Sequence, residues 1–467
     1  MSNGFNIPEG EFLGHPKGLF LLFGTELWER FSYYGMRPLL VLSLVAATQN
    51  ADPGFGWSRE SALHLYAWYT GLVYFTPLIG GWLADNFIGQ RKAVIIGALI
   101  MAAGQFTLSA SISKDINIFY AGLVLMIIGN GFFKANISTM VGYLYKPGDA
   151  RRDSAFSIFY MGINMGAFIA PLVCSYLGER AEFGWKYGYM AAGIGMTLSA
   201  IIQIFLSKRY LGDLGVKPSA QRSKENAGGS HAPLTPDEHD RMRVIFMLFV
   251  FVMLFWTAFE QAGGLMNLYA SEKTDRMLGA FEVPAGWFQS VNALFIVVLA
   301  PVFGMLWVAI ANRGKAMPTP IKMMAGLLLT GMGFLFMVAA VFDQQANGKA
   351  SMIWLILAYL FHTMGELCIS PVGLSMVTKL APLRLASLMM GVWFLINFFA
   401  NLFAGYIGAY AEHAGEFTIF AGLAGVLGVF ALILWFLSST LVNWMHGAEA
   451  ITKIEPLQVE PAGAGVV

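Results

Sequence analysis

Mostly apolar runs recur twelve times along the chain, near 18–47, 61–84, 93–112, 117–144, 154–178, 187–207, 243–270, 286–311, 320–342, 352–378, 386–411 and 417–444. Each is long enough to cross a bilayer as an α-helix, which takes about 20 residues. Clusters of turn-forming and charged residues interrupt them: QNADPGFGWSRE at 49–60, YKPGDARRD at 145–153, RGKAMPTP at 313–320 and QQANGK at 344–349. The longest polar stretch, 208–242, is rich in Gly, Pro, Ser and charge and carries almost no apolar pattern. It predicts a linker. The expected organisation is a six-helix bundle over 1–207, a cytoplasmic linker over 208–242, a second six-helix bundle over 243–445 and a cytoplasmic tail over 446–467.

Composition agrees with this pattern. The chain is 57% hydrophobic and 12% charged, about half the charge of a soluble domain, so an all-α integral membrane protein is expected. A net charge of +1 provides no basic footprint for nucleic acid. Cys174 and Cys368 both stand in apolar runs and suggest neither a disulfide framework nor a metal site. Residues 1–16 are polar and lack the apolar core of a cleavable signal peptide, so none is expected. Placing the N-terminus in the cytoplasm puts 17 Lys and Arg in inner loops, among them Arg91, Lys92, Arg151 and Arg152, against 7 in outer loops. Both termini are therefore expected inside. Twelve helices around a central linker suggest a secondary transporter of the major facilitator type. The segment GGWLADNFIGQRK at 80–92 resembles the loop motif of that superfamily through Gly81, Asp85, Gly89, Arg91 and Lys92, with Gln90 as an extra residue.

The charges inside the apolar runs carry the functional signal. An ionisable residue at the bilayer centre costs at least about 2.5–3.5 kcal/mol and by default marks a site facing the bundle interior. The first helix holds Glu26, Glu29, Arg30 and Arg37, the fourth Lys134, the seventh Glu260 and the tenth Glu366. Four carboxylates stand against three cations, the near balance that paired buried charges require. Glu26, Arg30, Tyr34 and Arg37 follow the spacing of one helix face, with Glu29 beside it. Lys134 lies among Gly129, Gly131, Ala135 and Ser138, small residues that permit close packing or cavity access, and is placed to pair with a carboxylate of the first helix. His64 stands near the outer end of the second helix and reads as an interfacial histidine.

Four segments carry a resemblance. ELWERFSYYG at 26–35 has the pattern E-x-x-E-R-F-x-Y-Y-G, and FYMGINMGAFIAPLV (159–173), FWTAFEQ (255–261) and GELCISPVGLSMV (365–377) look like fifth-, seventh- and tenth-helix signatures of the same family. Together they resemble the proton-dependent oligopeptide transporter family over most of the chain. The resemblance implies a major facilitator fold of twelve transmembrane helices in two six-helix halves. It implies import of di- and tripeptides by alternating access, driven by the proton gradient without a cofactor, by a transporter and not an enzyme. By resemblance, Arg30 and Lys134 hold the peptide carboxylate, and Glu366 holds its amino terminus, assisted by Asn164 and Asn292. Glu26 and Glu29 couple protons. Tyr33, Tyr34 and Tyr74 line the site, Trp256, Trp393 and Ser370 form pocket walls, and Arg37 with Glu260 makes the outer salt bridge between the halves.

The chemistry is sound without the family. A zwitterionic peptide has a fixed amine-to-carboxylate vector, which cations on one half and a carboxylate on the other would clamp. Three departures narrow the resemblance. Animal members carry a second-helix histidine where this chain has Ala67, so coupling is expected to rest on the glutamates. The polar linker is too short for the extra helix pair of many bacterial members, and the QQANGK loop leaves no room for the large outer domain of animal ones. The expected partners are di- and tripeptides, protons and the lipid bilayer, with the chain working as a monomer in a bacterial plasma membrane. A family member for nitrate or another small anion is the alternative, though it would need no amine-binding Glu366. A membrane enzyme lacks a nucleophile–base constellation here, and a transport-dead sensor is disfavoured by the intact E-x-x-E-R and Lys134.

Overall fold

The computed structural model describes residues 5–49, 52–112, 114–146, 149, 151–218, 234–313, 317–382 and 385–447. Twelve long helices run through them: α1 (Lys17–Val45), α2 (Arg59–Leu83), α3 (Gln90–Ser111), α4 (Ile116–Tyr143), α5 (Arg151–Glu179), α6 (Trp185–Leu211), α7 (Pro236–Phe259), α8 (Trp287–Asn312), α9 (Thr319–Asn347), α10 (Met352–Leu380), α11 (Ala386–Ala414) and α12 (Glu416–Trp444). In the first half α1 packs on α5 and α6, α3 on α4 and α6, and α2 on α4. In the second, α9 packs on α10 and α12, α8 on α10, and α7 on α11. The halves meet along α2 with α11 and along α5 with α8.

Large apolar side chains such as Met305, Phe205 and Phe436 are exposed on the outer surface of this bundle. Water would not tolerate so continuous an apolar surface, whereas lipid requires it. Ten helices are apolar and long enough to span a membrane on composition alone; α1 and α2 are not among them. The charged stripe lowers the hydropathy of α1, yet Glu26, Glu29, Arg30 and Arg37 are all buried in the protein rather than exposed to lipid.

The seventh apolar run departs from the continuous helix expected over 243–270. Its helix starts earlier, at Pro236, because Thr235 caps it and forms a capping box with Glu238, with Pro at the first turn. It then breaks into a 3-10 turn at Glu260–Ala262 and resumes as a short helix at Leu265–Glu272. Contacts from four other helices hold the break. The Tyr359 hydroxyl donates to the Ala262 carbonyl at 3.3 Å, Gln261 donates to the Ala404 carbonyl at 2.8 Å, and Gly263 lies against Tyr66 and Arg37 with no room for a Cβ. Helices also enter the predicted linker from both sides, through Lys208–Leu211 and Pro236–Met242. Residues 219–233 of that linker and 448–467 of the predicted tail lie outside the described residues.

Glycines position α4 closely. A Cβ on Gly131 would lie 2.9 Å from the Thr76 carbonyl oxygen of α2. One on Gly129 would lie 2.7 Å from the Gly97 carbonyl oxygen of α3. The α4 backbone is thereby seated against both neighbours at the turn just before Lys134. In the α2–α3 loop, the extra residue Gln90 donates to Asp85 at 2.7 Å. Arg91 donates to the Gly212 carbonyl at 2.6 Å, tying this loop to the end of α6.

Candidate functional site

Helical spacing on α1 and the close seating of α4 create one charge cluster. Arg30 donates twice to Glu29, through Nε and Nη2, and its Nε lies 3.5 Å from Glu26. Lys134 reaches across from α4 and donates to Glu26 at 2.6 Å. The Arg30 guanidinium sits over two rings, 5.1 Å from the centre of Tyr33 and 5.7 Å from that of Tyr34. Two carboxylates and two cations are thus mutually paired. This is the arrangement that lets charge persist in a low-dielectric interior. Each cation is nevertheless held by a carboxylate that a proton would neutralise.

The second-half cluster has a different character. Glu366 of α10 is buried, and its carboxylate accepts from Asn292 of α8 at 2.9 Å. Asn292 also donates to Thr363, one turn earlier on α10, at 3.0 Å. No Lys or Arg stands within ion-pair distance of Glu366 among the described residues. Ser370 lies one turn beyond it and is half-buried. Asn164 does not reach Glu366: its amide donates to the Tyr160 carbonyl of its own helix at 2.9 Å. A short polar side chain on a helix has the carbonyl one turn back within reach, so the sequence could not assign its partner. Trp256 packs edge-on to Phe255 and Phe259, and its buried indole nitrogen has no partner among the described residues. Trp393 packs on Phe249. Tyr74 lies within electrostatic reach of Glu260, Tyr34, Arg37 and Arg30.

Arg37 bonds Glu260 across the halves, at the broken turn of α7. It also donates to the Tyr66 hydroxyl of α2. Tyr66 is not among the residues the sequence pattern singles out, although it sits two turns before Tyr74 on α2. Further bonds from half to half lie on the same side of the molecule. Glu179 at the end of α5 accepts from the backbone of Ala285 at 2.6 Å and Gly286 at 2.9 Å, at the N-terminus of α8, where the helix dipole favours an anion. Arg59 donates to Glu416 at 2.9 Å, and Asn267 donates to the Pro38 carbonyl at 3.0 Å. Hydrogen bonds between described residues of the two halves cluster on this face, which carries the α1–α2 connection. His64 packs at a tilt against Tyr406 there, ring centres 4.5 Å apart, outside both charge clusters.

The model of the POT family matches residues 91–225 and 230–419. The chain belongs to the POT family. It is 38% identical to a peptide transporter of Yersinia enterocolitica over 471 aligned residues, covering 88% of this chain and 91% of the relative. It is 31% identical to a di-/tripeptide transporter of Lactococcus lactis, covering 91% and 95%. A crystal structure of a POT peptide transporter in complex with sulfate superimposes with a TM-score of 0.85 at 34% identity, covering 94% of this chain and 98% of that one. The POT-family chain is therefore a multi-pass membrane transporter of the major facilitator fold, and not an enzyme.

The Arg37–Glu260 pair makes a direct prediction about this POT-family fold. Arg37→Ala leaves Glu260 buried without its counter-ion and is expected to destabilise the protein by about 3–5 kcal/mol. Arg37→Ala/Glu260→Ala should recover a large part of that loss. Thermal unfolding of the purified variants in detergent measures it. Strictly additive single losses would mean the two side chains are not a coupled pair.

Proposed function

We propose that this chain imports di- and tripeptides together with protons by alternating access. The observation that carries the reading is the asymmetry of the two clusters. Cations Arg30 and Lys134 belong to the first half, whereas Glu366 is a buried carboxylate of the second half whose partner among the described residues is the neutral Asn292. A peptide offers a carboxylate to the first and an ammonium to the second. A small anion would leave Glu366 without a counterpart. Tyr33, Tyr34, Tyr74, Trp256, Trp393 and Ser370 then surround the peptide with loosely apolar surface, which tolerates varied side chains. Asn292 positions Glu366, and Asn164 turns toward the cargo when one binds.

Proton coupling follows from the pairing of Glu26 and Glu29. A substrate carboxylate competes with them for Arg30 and Lys134. Protonating a glutamate alone leaves a cation uncompensated, at a cost of about 3–5 kcal/mol. Binding a peptide carboxylate alone brings a surplus anion. When proton and peptide bind together, each removes the penalty of the other, and such coupling is reciprocal. Arg37 and Glu260, with the Glu179 and Arg59 contacts, close the outer side. The face carrying the α1–α2 connection is outward, both termini lie in the cytoplasm, and the protein works as a monomer in a bacterial inner membrane.

The test is uptake of labelled Ala-Ala into proteoliposomes under an inward proton gradient with a negative interior. Accumulation that collapses on adding an uncoupler is the expected result. Equal uptake with and without the gradient, or none in a folded preparation, would overturn the reading.

A further inference from the structure

Glu29 is fully buried, and the groups facing it come from three helices. Arg30 and Glu26 face it from α1 and Lys134 from α4, while Tyr69 of α2 lies within electrostatic reach. Asn130 of α4 makes the remaining contact: its Nδ2 donates to Glu29 Oε1 at 3.5 Å. That contact is long, and the same oxygen also accepts from Arg30. The other end of the amide, Asn130 Oδ1, is buried and has no hydrogen-bond partner among the described residues. A buried acceptor left unpaired calls for an explanation.

Protonation chemistry supplies one. An ionised carboxylate only accepts hydrogen bonds, and Arg30, Lys134 and Asn130 Nδ2 all donate. A protonated Glu29 acquires an O–H that must find an acceptor, and neither cation has one to offer. A side-chain amide presents a donor on one side and an acceptor on the other, and a half-turn exchanges them. Asn130 is also held firmly. It stands one turn before Lys134 on the face toward α1, between the two glycines that seat α4 against α2 and α3.

We propose that Asn130 is a positioning residue for the transported proton, donating to Glu29 when it is ionised and accepting its O–H when it is protonated. The proton arrives from the outer solution, forms an O–H bond on the Glu29 carboxylate, and leaves to the inner solution when that bond breaks. This rests on the proton-coupling reading of Glu29. A neutral two-way partner lets the carboxylate load and release a proton without leaving a buried polar atom unpaired in the loaded state.

The experiment is the pH dependence of gradient-driven Ala-Ala uptake in proteoliposomes containing the full chain, with counterflow of the same peptide as a control for a folded site. Asn130→Leu removes both donor and acceptor at similar volume, and because the donor contact is long and its oxygen already accepts from Arg30, loss of the acceptor outweighs loss of the donor. Its midpoint is expected to move toward acid by roughly half to one pH unit, the scale of one hydrogen bond. Asn130→Thr, which keeps a hydroxyl able to donate and accept, is expected to move it back toward the wild-type value. An unchanged midpoint with a lower rate would reduce Asn130 to packing. A shift toward alkali would make it only a donor to the carboxylate. Either overturns the proposal. Should Asn130→Leu fail to fold, Asn130→Ala carries the same expectation. Wild-type protein without gradient-driven uptake would instead sink the proton-coupling reading itself.

Discussion

Replacing Glu366 by glutamine is expected to raise the dipeptide concentration needed for half-maximal uptake by about 100-fold. Truncating one partner of a buried, hydrogen-bonded charge pair costs roughly 2–5 kcal/mol, and each 1.4 kcal/mol is a factor of ten. Glutamine keeps the shape and can still meet Asn292, so the bundle should remain folded. What disappears is the charge that attracts an ammonium. A matched measurement separates this from general damage: competition of Ala-Ala uptake by an N-acetylated dipeptide, which has the carboxylate but no amine. Wild-type protein should favour the free amine strongly, and Glu366→Gln should bind the two forms about equally. If the variant still discriminates between them, the amine is held elsewhere.

The second large effect concerns Glu29. Glu29→Gln is expected to reduce dipeptide accumulation to equilibrium with the external solution while counterflow exchange continues. Arg30 makes two bonds to Glu29, so a permanently neutral side chain frees the guanidinium for a peptide carboxylate at every pH. Binding then no longer depends on a proton, and the gradient has nothing to act on. Conversely, a substrate that binds equally well to both states of a carrier does not shift its equilibrium. Accumulation ratios with and without an uncoupler give the result. Uncoupler-sensitive accumulation surviving in Glu29→Gln would transfer the coupling to Glu26, whose partner is Lys134.

Much of the charge cluster was legible because its determinants are local. Glu26, Arg30, Tyr34 and Arg37 share a face by helical spacing alone, and an apolar setting on both sides leaves such a stripe nowhere to go but inward. Lys134 then had to meet a carboxylate, since an unpaired cation at that depth is costly. Tyr66 and Asn130 were within reach of the same logic. Tyr66 repeats the phase of Tyr74, and Asn130 repeats the phase of Lys134, but neither is charged, so neither stands out against the apolar run. The early start of α7 was also readable, as a Thr-Pro-Asp-Glu cap hidden inside a stretch that looked like linker.

The twelve helical runs, their burial in lipid and the inward face of α1 were thus determined by the sequence alone, because hydropathy and helical period act over a few turns. Tertiary structure alone decided the rest. The break at Glu260–Ala262 depends on Tyr359, Gln261 with Ala404, and the Arg37 and Tyr66 side chains, which come from α1, α2, α10 and α11. Asn164 faces a choice between its own helix carbonyl and the Glu366 carboxylate of α10, and only the placement of α5 relative to α10 settles which is near. Glu179 reads as an ordinary loop acid until the N-terminus of α8 is brought against it. At the break and at Glu179 the partners lie about a hundred or more residues away along the chain, and nothing in a local pattern specifies which of many polar groups the packing will deliver.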